Sequence, residues 1–522
     1  MKFLIKLERF IQRPNRTLLF QIPTYSPLKK IISAMNKFLF ALLLALPFAT
    51  FAQPSLSDKN VFEFRAVWVA TVVNIDWPSK SGLSNQSQKD EFEALLDMHQ
   101  KNGMNAIIMQ VRPSGDALYP SALEPWSEYL SGKQGQAPTP FYDPLTYMIE
   151  ATHQRGMEFH AWINPYRAVF DVNKSSIANT HLSKLHPEWF LTYGDKKYFN
   201  PGLPEVWQHT NKVVRDLVTR YDIDAVHMDD YFYPYKIPGK EFPDEATYKK
   251  NARGLSKDDW RRSNCDTIVK QLSATIHATN PGVQFGISPF GVWRNQSTDP
   301  RGSKTKATTN YDDLYADILL WLEQDWIDYV APQLYWEQGH ALADYNELIE
   351  WWNRNSYGKN LYIGHGIYRA GSNAAWKSPN EIPNQIKKMR SLKNTHGSAY
   401  FSSASFKTNA NGWNDSLQNN YYHKPALIAP IEWLVQTKML TPNILKQADN
   451  SYTIIDSNTL SSLKYFALIQ KGKTGYSVEA ILPRSTKTFN LTTLGISLSP
   501  KEPIWIVAVG KQNQLSKYQV IE

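Results

Sequence analysis

Residues 225–234 read Ala225-Val226-His227-Met228-Asp229-Asp230-Tyr231-Phe232-Tyr233-Pro234. The stretch opens as a β-run and ends in a cluster of carboxylates and aromatics closed by a proline. Successive side chains of a strand point to opposite faces. Val226 and Met228 therefore take the apolar side, and His227 and Asp229 take the other. A parallel barrel carries its reactive groups at the C-terminal ends of such strands, in the loops that follow.

Working outward, the same grammar repeats from about residue 62 to 405: a short β-rich run, a loop, an amphipathic helix. The β-runs are expected at 65–72, 106–112, 158–166, 225–233, 284–293, 327–336, 361–368 and 398–405. Helices are expected at 88–102, 144–155, 204–221, 258–279, 312–324, 342–355 and 381–394, where apolar residues recur at three- and four-residue spacing. Eight strands alternating with helices predict an α/β fold, a (β/α)8 TIM barrel. An open doubly wound sheet would bring a glycine-rich nucleotide turn, and no such motif is present. After Pro425 the text changes. A linker helix is expected over 427–439, followed by short β-runs at 452–455, 465–470, 476–482, 488–491 and 504–509, which predict a small β-sandwich. The domains are then 1–52, an N-terminal extension and signal peptide; 53–425, the barrel; and 426–522, linker and sandwich.

The net charge of +9 is unevenly spread. Residues 1–52 carry eight basic residues against Glu8, or +7, which leaves +2 for the remainder. A nearly neutral body without a basic run makes nucleic acid an unsuitable partner. Met35, Asn36-Lys37, the apolar run 38–48 and Ala49-Thr50-Phe51-Ala52 have the layout of a secretory signal cut after Ala52, with Met35 as the true start. Membrane contact is expected only if that segment is retained as an anchor. Cys265 is the single cysteine, inside a helical stretch, and reads as a small buried hydrophobe. A chain without a disulfide framework suits export into a bacterial periplasm or cell envelope, or beyond the cell.

The strand ends gather polar and aromatic groups. Alternation turns Gln110 and Arg112 inward on strand two, His160, Trp162 and Asn164 on strand three, and His227 and Asp229 on strand four. On strand six it turns Gln333, Tyr335 and Glu337 toward the mouth. Glycoside hydrolysis needs one carboxyl to protonate the leaving oxygen and another as nucleophile or base. Asp229 is expected as nucleophile or base and Glu337 as general acid. Asp230 competes, because alternation fails where a strand bends into its loop. Arg112 beside Asp229 would hold that acid ionised, or else forms half of a buried ion pair. Asn164, His227 and Gln333 are expected to position substrate or carboxylate. Tyr166, Arg167, Tyr231, Trp293, Tyr335 and Trp336 complete the expected substrate-binding set, and the 17 Trp and 28 Tyr of the chain suit stacking on sugar rings.

At these residues the sequence resembles a known family. Phe64-Arg65-Ala66-Val67-Trp68-Val69, Gln110-Val111-Arg112-Pro113, Ala161-Trp162-Ile163-Asn164-Pro165-Tyr166-Arg167, the segment at 227–234 and Ala331-Pro332-Gln333-Leu334-Tyr335-Trp336 resemble the bacterial glycosyl-hydrolase-like family ten. The resemblance implies a (β/α)8 barrel that hydrolyses glycosidic bonds in the cell envelope. That family includes an enzyme that cuts peptidoglycan glycan strands already stripped of their peptides. It implies carboxylates after strands four and six, at Asp229 and Glu337, and a fibronectin-type-III-like tail. The expected partner is a polysaccharide or oligosaccharide, with no cofactor and no metal. Two other classes remain open. His227 and Asp229 could be metal ligands of a polysaccharide deacetylase, or the barrel could bind glycans without turnover.

Overall fold

The computed structural model describes residues 61–431, 433–434, 438–455, 462–472, 475–498 and 502–521. The export signal expected within residues 1–52 lies outside them.

Eight strand positions form a closed parallel sheet. They are β1 (Phe64–Val69), β2 (Ala106–Arg112), β3 (Glu158–Ile163), β4 (Ala225–Met228) and β5 (Gln284–Ile287), then β6 in two pieces (Tyr329–Val330 and Gln333–Leu334), β7 (Asn360–His365) and β8 (Thr395–Tyr400). Each neighbour pairs in parallel, the first piece of β6 bridges β5 and β7, and β8 returns to β1. This is the (β/α)8 barrel that the repeated grammar predicts. The two-residue period is visible in the packing. Val67, Ile107, Phe159, Val226 and Phe285 belong to the layer under the helices. Ala66, Ile108, Trp162 and Tyr329 fill the barrel interior. Gly286 is obligatory in that interior, because a Cβ there would stand 1.9 Å from the Tyr329 ring.

The outer helices are α1 (Asn85–Lys101), α2 (Pro144–Gln154), α3 (Pro204–Arg220), α4 (Lys257–Thr279), α5 (Ile318–Glu323), α6 (Tyr345–Arg354) and α7 (Glu381–Ser391). Their starts follow ordinary capping rules. Asp143 accepts from the Leu145 and Thr146 amides before α2, and Ser256 accepts from Asp259 before α4. The helix expected at 312–324 shortens to α5 because Tyr315 adopts a left-handed φ of 56°, which a right-handed helix cannot contain. Cys265 is buried in α4, as a small hydrophobe would be.

Two features depart from expectation. A three-stranded antiparallel sheet (Arg167–Val169, Phe190–Tyr193 and Lys196–Phe199) is inserted between β3 and α3. No helix forms in the described part of 427–439. There Leu427 donates to Val61 O and accepts from Glu63 N, both at 2.8 Å, so the segment starts extended. Pro430 then disfavours helical geometry at Ala429.

The tail is a pair of antiparallel sheets, one of three strands and one of four. Tyr452, Ile454 and Phe489 from the first share a core with Phe466, Leu468, Ile504 and Ile506 from the second. The alternate residues Ala467, Val507 and Val509 pack with Val61 and Leu427 beneath the barrel. From this sheet Lys464 reaches into the barrel floor, where it is buried against Glu158 and lies 3.2 Å from Asp224.

Candidate active site

A cavity of about 540 Å³ opens at the C-terminal ends of the strands, and all eight strand ends or their loops contribute to it. A larger hollow of about 1010 Å³ lies at the opposite end, between barrel and tail. Its carboxylate Glu63 is tied to Arg65 and Arg390, both at 2.7–2.8 Å, so among the described residues the hollow offers no free acid. The chemistry belongs to the strand-end cavity.

Among the described residues, the carboxyls lining that cavity are Asp229 and Asp230, 4% and 3% exposed. Both follow β4. Asp229 accepts from Asn164 Nδ2 at 3.2 and 3.1 Å, from Trp162 Nε1 at 3.1 Å and from the Tyr231 amide at 3.3 Å. Asn164 is itself oriented, because its Oδ1 accepts from the Arg167 amide at 2.7 Å. Burial pushes the Asp229 carboxyl upward, while Arg167 and these donors oppose that rise; the balance stays above the ordinary value. Asp230 is raised further, to about 7, by burial and then by the charge of Asp229. The Tyr235 hydroxyl donates to Asp230 and Gln333 also bonds it, both favouring the ionised form. One acid is thus half-protonated near neutrality beside another fixed by several donors.

Beneath the cavity runs an unbroken polar chain. Trp68 Nε1, which can only donate, points at His227 Nε2 at 3.2 Å. Ser288 Oγ lies 2.9 Å from the same nitrogen and can also donate to it, so His227 carries its proton on Nδ1, from which it donates to Tyr329 OH at 2.8 Å. Tyr329 OH in turn donates to His160 Nδ1 at 2.9 Å, and His160 Nε2 donates to Glu158 at 2.8 Å. Lys464 of the tail closes the chain at Glu158. Burial, then the neighbouring His160, drives the His227 pKa well down, which agrees with a neutral ring.

Several expected site residues lie at the cavity, Trp336 among them although alternation turns it toward the helices. Asn164 holds Asp229. Arg167, Tyr231, Gln333, Tyr335 and Trp336 line the cavity, with the Arg167 guanidinium 4.8 Å from the Tyr231 ring centre. His227 lies below the cavity and braces Trp68 rather than touching a carboxylate.

Four residues are elsewhere. Arg112 does not meet Asp229. A register shift between Gln110 and Arg112 sets Arg112 opposite the outward-facing Ile163, so Arg112 turns out to a buried pair with Glu124 at 2.5 Å. Glu337 does not line the cavity. The second piece of β6 ends at Leu334, so the two-residue count no longer applies three residues later. Its carboxylate instead accepts from Asn373 at 3.0 Å and Trp376 at 2.9 Å. Partial burial raises its pKa, but backbone, Trp376 and Asn373 hydrogen bonds prevail and lower it, the reverse of what a general acid needs. Trp293 lies in the layer under the helices, stacked on Trp351 at 5.8 Å, because β5 stops at Ile287 and the chain has turned away. Tyr166 packs in the same layer, fully buried.

The sequence reading missed Tyr235, Phe170 and Arg369, which also line the cavity. Tyr235 stands one residue beyond Pro234, just past the segment that was read as a unit. Arg369 ends a short turn after β7, beyond the run expected at 361–368. Phe170 belongs to the inserted sheet, which left no periodic signal.

The arrangement supplies paired acids in an aromatic-walled cavity. As a metal site it is poor: both His227 nitrogens are engaged by the chain, and no group of three or more His, Cys, Asp or Glu among the described residues is disposed to hold an ion. Residues 63–380 match the family model described as glycosyl hydrolase-like 10. The chain belongs to the glycosyl hydrolase-like 10 family. It is 48% identical over 418 residues to glycosyl hydrolase YngK of Bacillus subtilis (strain 168), covering 78% of this chain and 80% of that protein. It is 40% identical over 337 residues to glycosyl hydrolase DigH of Escherichia coli (strain K12), covering 61% and 76%. Similar solved structures include alpha-L-fucosidase isoenzyme 2 from Paenibacillus thiaminolyticus, at 14% identity and a TM-score of 0.44. This alignment covers 70% of the chain but about half (51%) of that fucosidase. The PgaB (BpsB) glycoside hydrolase domain from Bordetella bronchiseptica is similar at 12% identity and a TM-score of 0.44, covering 68% of this chain and 98% of that one. By its family the protein is a glycoside hydrolase with a carbohydrate substrate.

Proposed function

We propose that this enzyme is exported and cleaves an envelope polysaccharide, the glycan strands of peptidoglycan after their peptides have been removed. Asp230 is the general acid and Asp229 the partner carboxylate, acting as nucleophile or base. The observation that carries the reading is the division of labour between two adjacent acids. Asp230 is raised to about 7 and so holds a proton to give at neutral pH. Asp229 is held by Asn164, Trp162 and the Tyr231 amide, which orient it as an acceptor. Leaving-group protonation by the first and charge stabilisation or attack by the second are the two tasks of glycoside hydrolysis. Trp68, Tyr231, Tyr335 and Trp336 supply flat walls for sugar rings. The envelope substrate is supported by the likeness of the strand-end segments to a family containing such an enzyme, and export by the signal-like run before Gln53.

Digestion of peptidoglycan with and without prior amidase treatment, read by mass spectrometry, tests this. Short sugar fragments from stripped strands alone are expected. Release only from a different polysaccharide would reject the substrate.

A further inference from the structure

The arginines buried in this fold are paired as physics requires. Arg112 meets Glu124, Arg261 meets Asp244 and Arg65 meets Glu63. Arg369, half-buried on the cavity wall, is different. Its Nε is buried with no hydrogen-bond partner, and among the described residues no carboxylate, carbonyl or ring takes its guanidinium. It is carried on the short turn Ile367–Arg369 directly after β7, next to Tyr368 and across from the β4 acids in the same cavity. The other cavity cation, Arg167, is balanced by Asp229 and lies over the Tyr231 ring.

A buried donor left unpaired is costly, and a guanidinium offers a planar fork matched to a carboxylate. We infer that Arg369 is a specificity residue that binds a carboxylate carried by the sugar chain. This rests on the reading of the substrate as a glycan strand and adds the reason why peptide removal matters. Each muramic acid residue carries a lactyl ether whose carboxyl is an amide while the peptide is attached. Amidase cleavage frees that carboxyl as an anion. An arginine in the cavity attracts the anion, whereas the amide lacks the charge and brings a bulky peptide. The enzyme would then recognise the chemical mark that peptide removal leaves. The shared chemistry is the carboxylate, which a uronic acid also carries.

Calorimetric titration of the wild type, Arg369→Gln and Arg369→Lys tests the inference without requiring turnover. The probes are the N-acetylglucosamine–N-acetylmuramic acid disaccharide, its carboxyl methylamide and a glucuronic-acid disaccharide. The wild type is expected to bind the muramic acid form on the order of tenfold to a hundredfold more tightly than the methylamide, the range of a charge-assisted hydrogen bond. Arg369→Gln should bind the two alike with an unchanged melting temperature, and Arg369→Lys should keep part of the preference. The lactyl source predicts weaker binding of the glucuronic probe; equal binding would overturn that source. No preference in the wild type, or a preference that survives in Arg369→Gln, would overturn the role of Arg369. The two proposals fail separately. Preference for the acid without digestion of stripped strands sinks only the substrate reading, and digestion without preference sinks only the arginine.

Discussion

Replacing Tyr235 by Phe moves the alkaline limb of the pH–rate profile to higher pH. Asp230 sits at about 7 because burial and the charge of Asp229 outweigh the hydrogen bonds from Tyr235 and Gln333. The Tyr235 hydroxyl donates to the Asp230 carboxylate, so it stabilises only the ionised acid. Its removal penalises ionisation and raises the pKa further. A hydrogen bond to a charged group contributes about 1.5–3 kcal/mol, and one pKa unit corresponds to about 1.36 kcal/mol. Full loss is worth roughly one to two units, and water entering the vacated site brings the expectation to about one unit. The assay is kcat/KM on stripped strands across the profile, because that ratio reports groups of the free enzyme. Asp229 and Asp230 are neighbours, so the limb gives an apparent pKa of the pair. The wild-type limb should fall near pH 7 and the variant's about one unit above it. A limb that stays in place, or moves down, would show that Asp230 is not the titrating acid.

Other outcomes follow from the same geometry. Glu337→Gln should keep most of the wild-type kcat/KM, since its carboxylate is turned to Asn373 and Trp376; loss comparable to that of Asp230→Asn would restore Glu337 as the acid. Lys464→Met should destabilise the fold by about 3–5 kcal/mol in urea, because the buried Glu158 loses its cation and keeps only the His160 hydrogen bond. Adding Glu158→Gln should recover part of that, and a loss below about 1 kcal/mol would refute the floor pairing. Asp230→Asn should be more stable than the wild type at alkaline pH. The folded pKa of Asp230 is raised, so its contribution is fully present below the unfolded value and is lost as pH rises to about 7. The gap should reach on the order of 4 kcal/mol above that pH, and parallel urea melts at acid and alkaline pH would reveal its absence.

The barrel was legible because β1 to β5 obey a two-residue period that the helices and interior both need. The same count located Trp162, Asn164, His227 and Asp229, whose side chains depend only on strand register. It failed wherever something non-local decides direction. The register shift at Arg112 arises from pairing with β3, and nothing within Gln110-Val111-Arg112 announces it. Glu337 was misplaced because β6 stops at Leu334, a length set by its neighbours. The linker helix was read from apolar spacing in 427–439, yet Leu427 satisfies its backbone on Val61 and Glu63 from the other end of the barrel sequence. The inserted sheet, with Phe170, and the tail's Lys464 under the barrel floor likewise have partners that only the folded chain supplies.

The assignment of Asp230 as the proton donor is tested most directly with a leaving group that needs no proton. Rates of the wild type and Asp230→Asn would be compared on stripped strands and on an activated aryl glycoside of the strand disaccharide. The variant should lose on the order of a hundredfold or more on strands, and recover most of its rate on the aryl substrate. An equal loss on both substrates would contradict general-acid catalysis by Asp230.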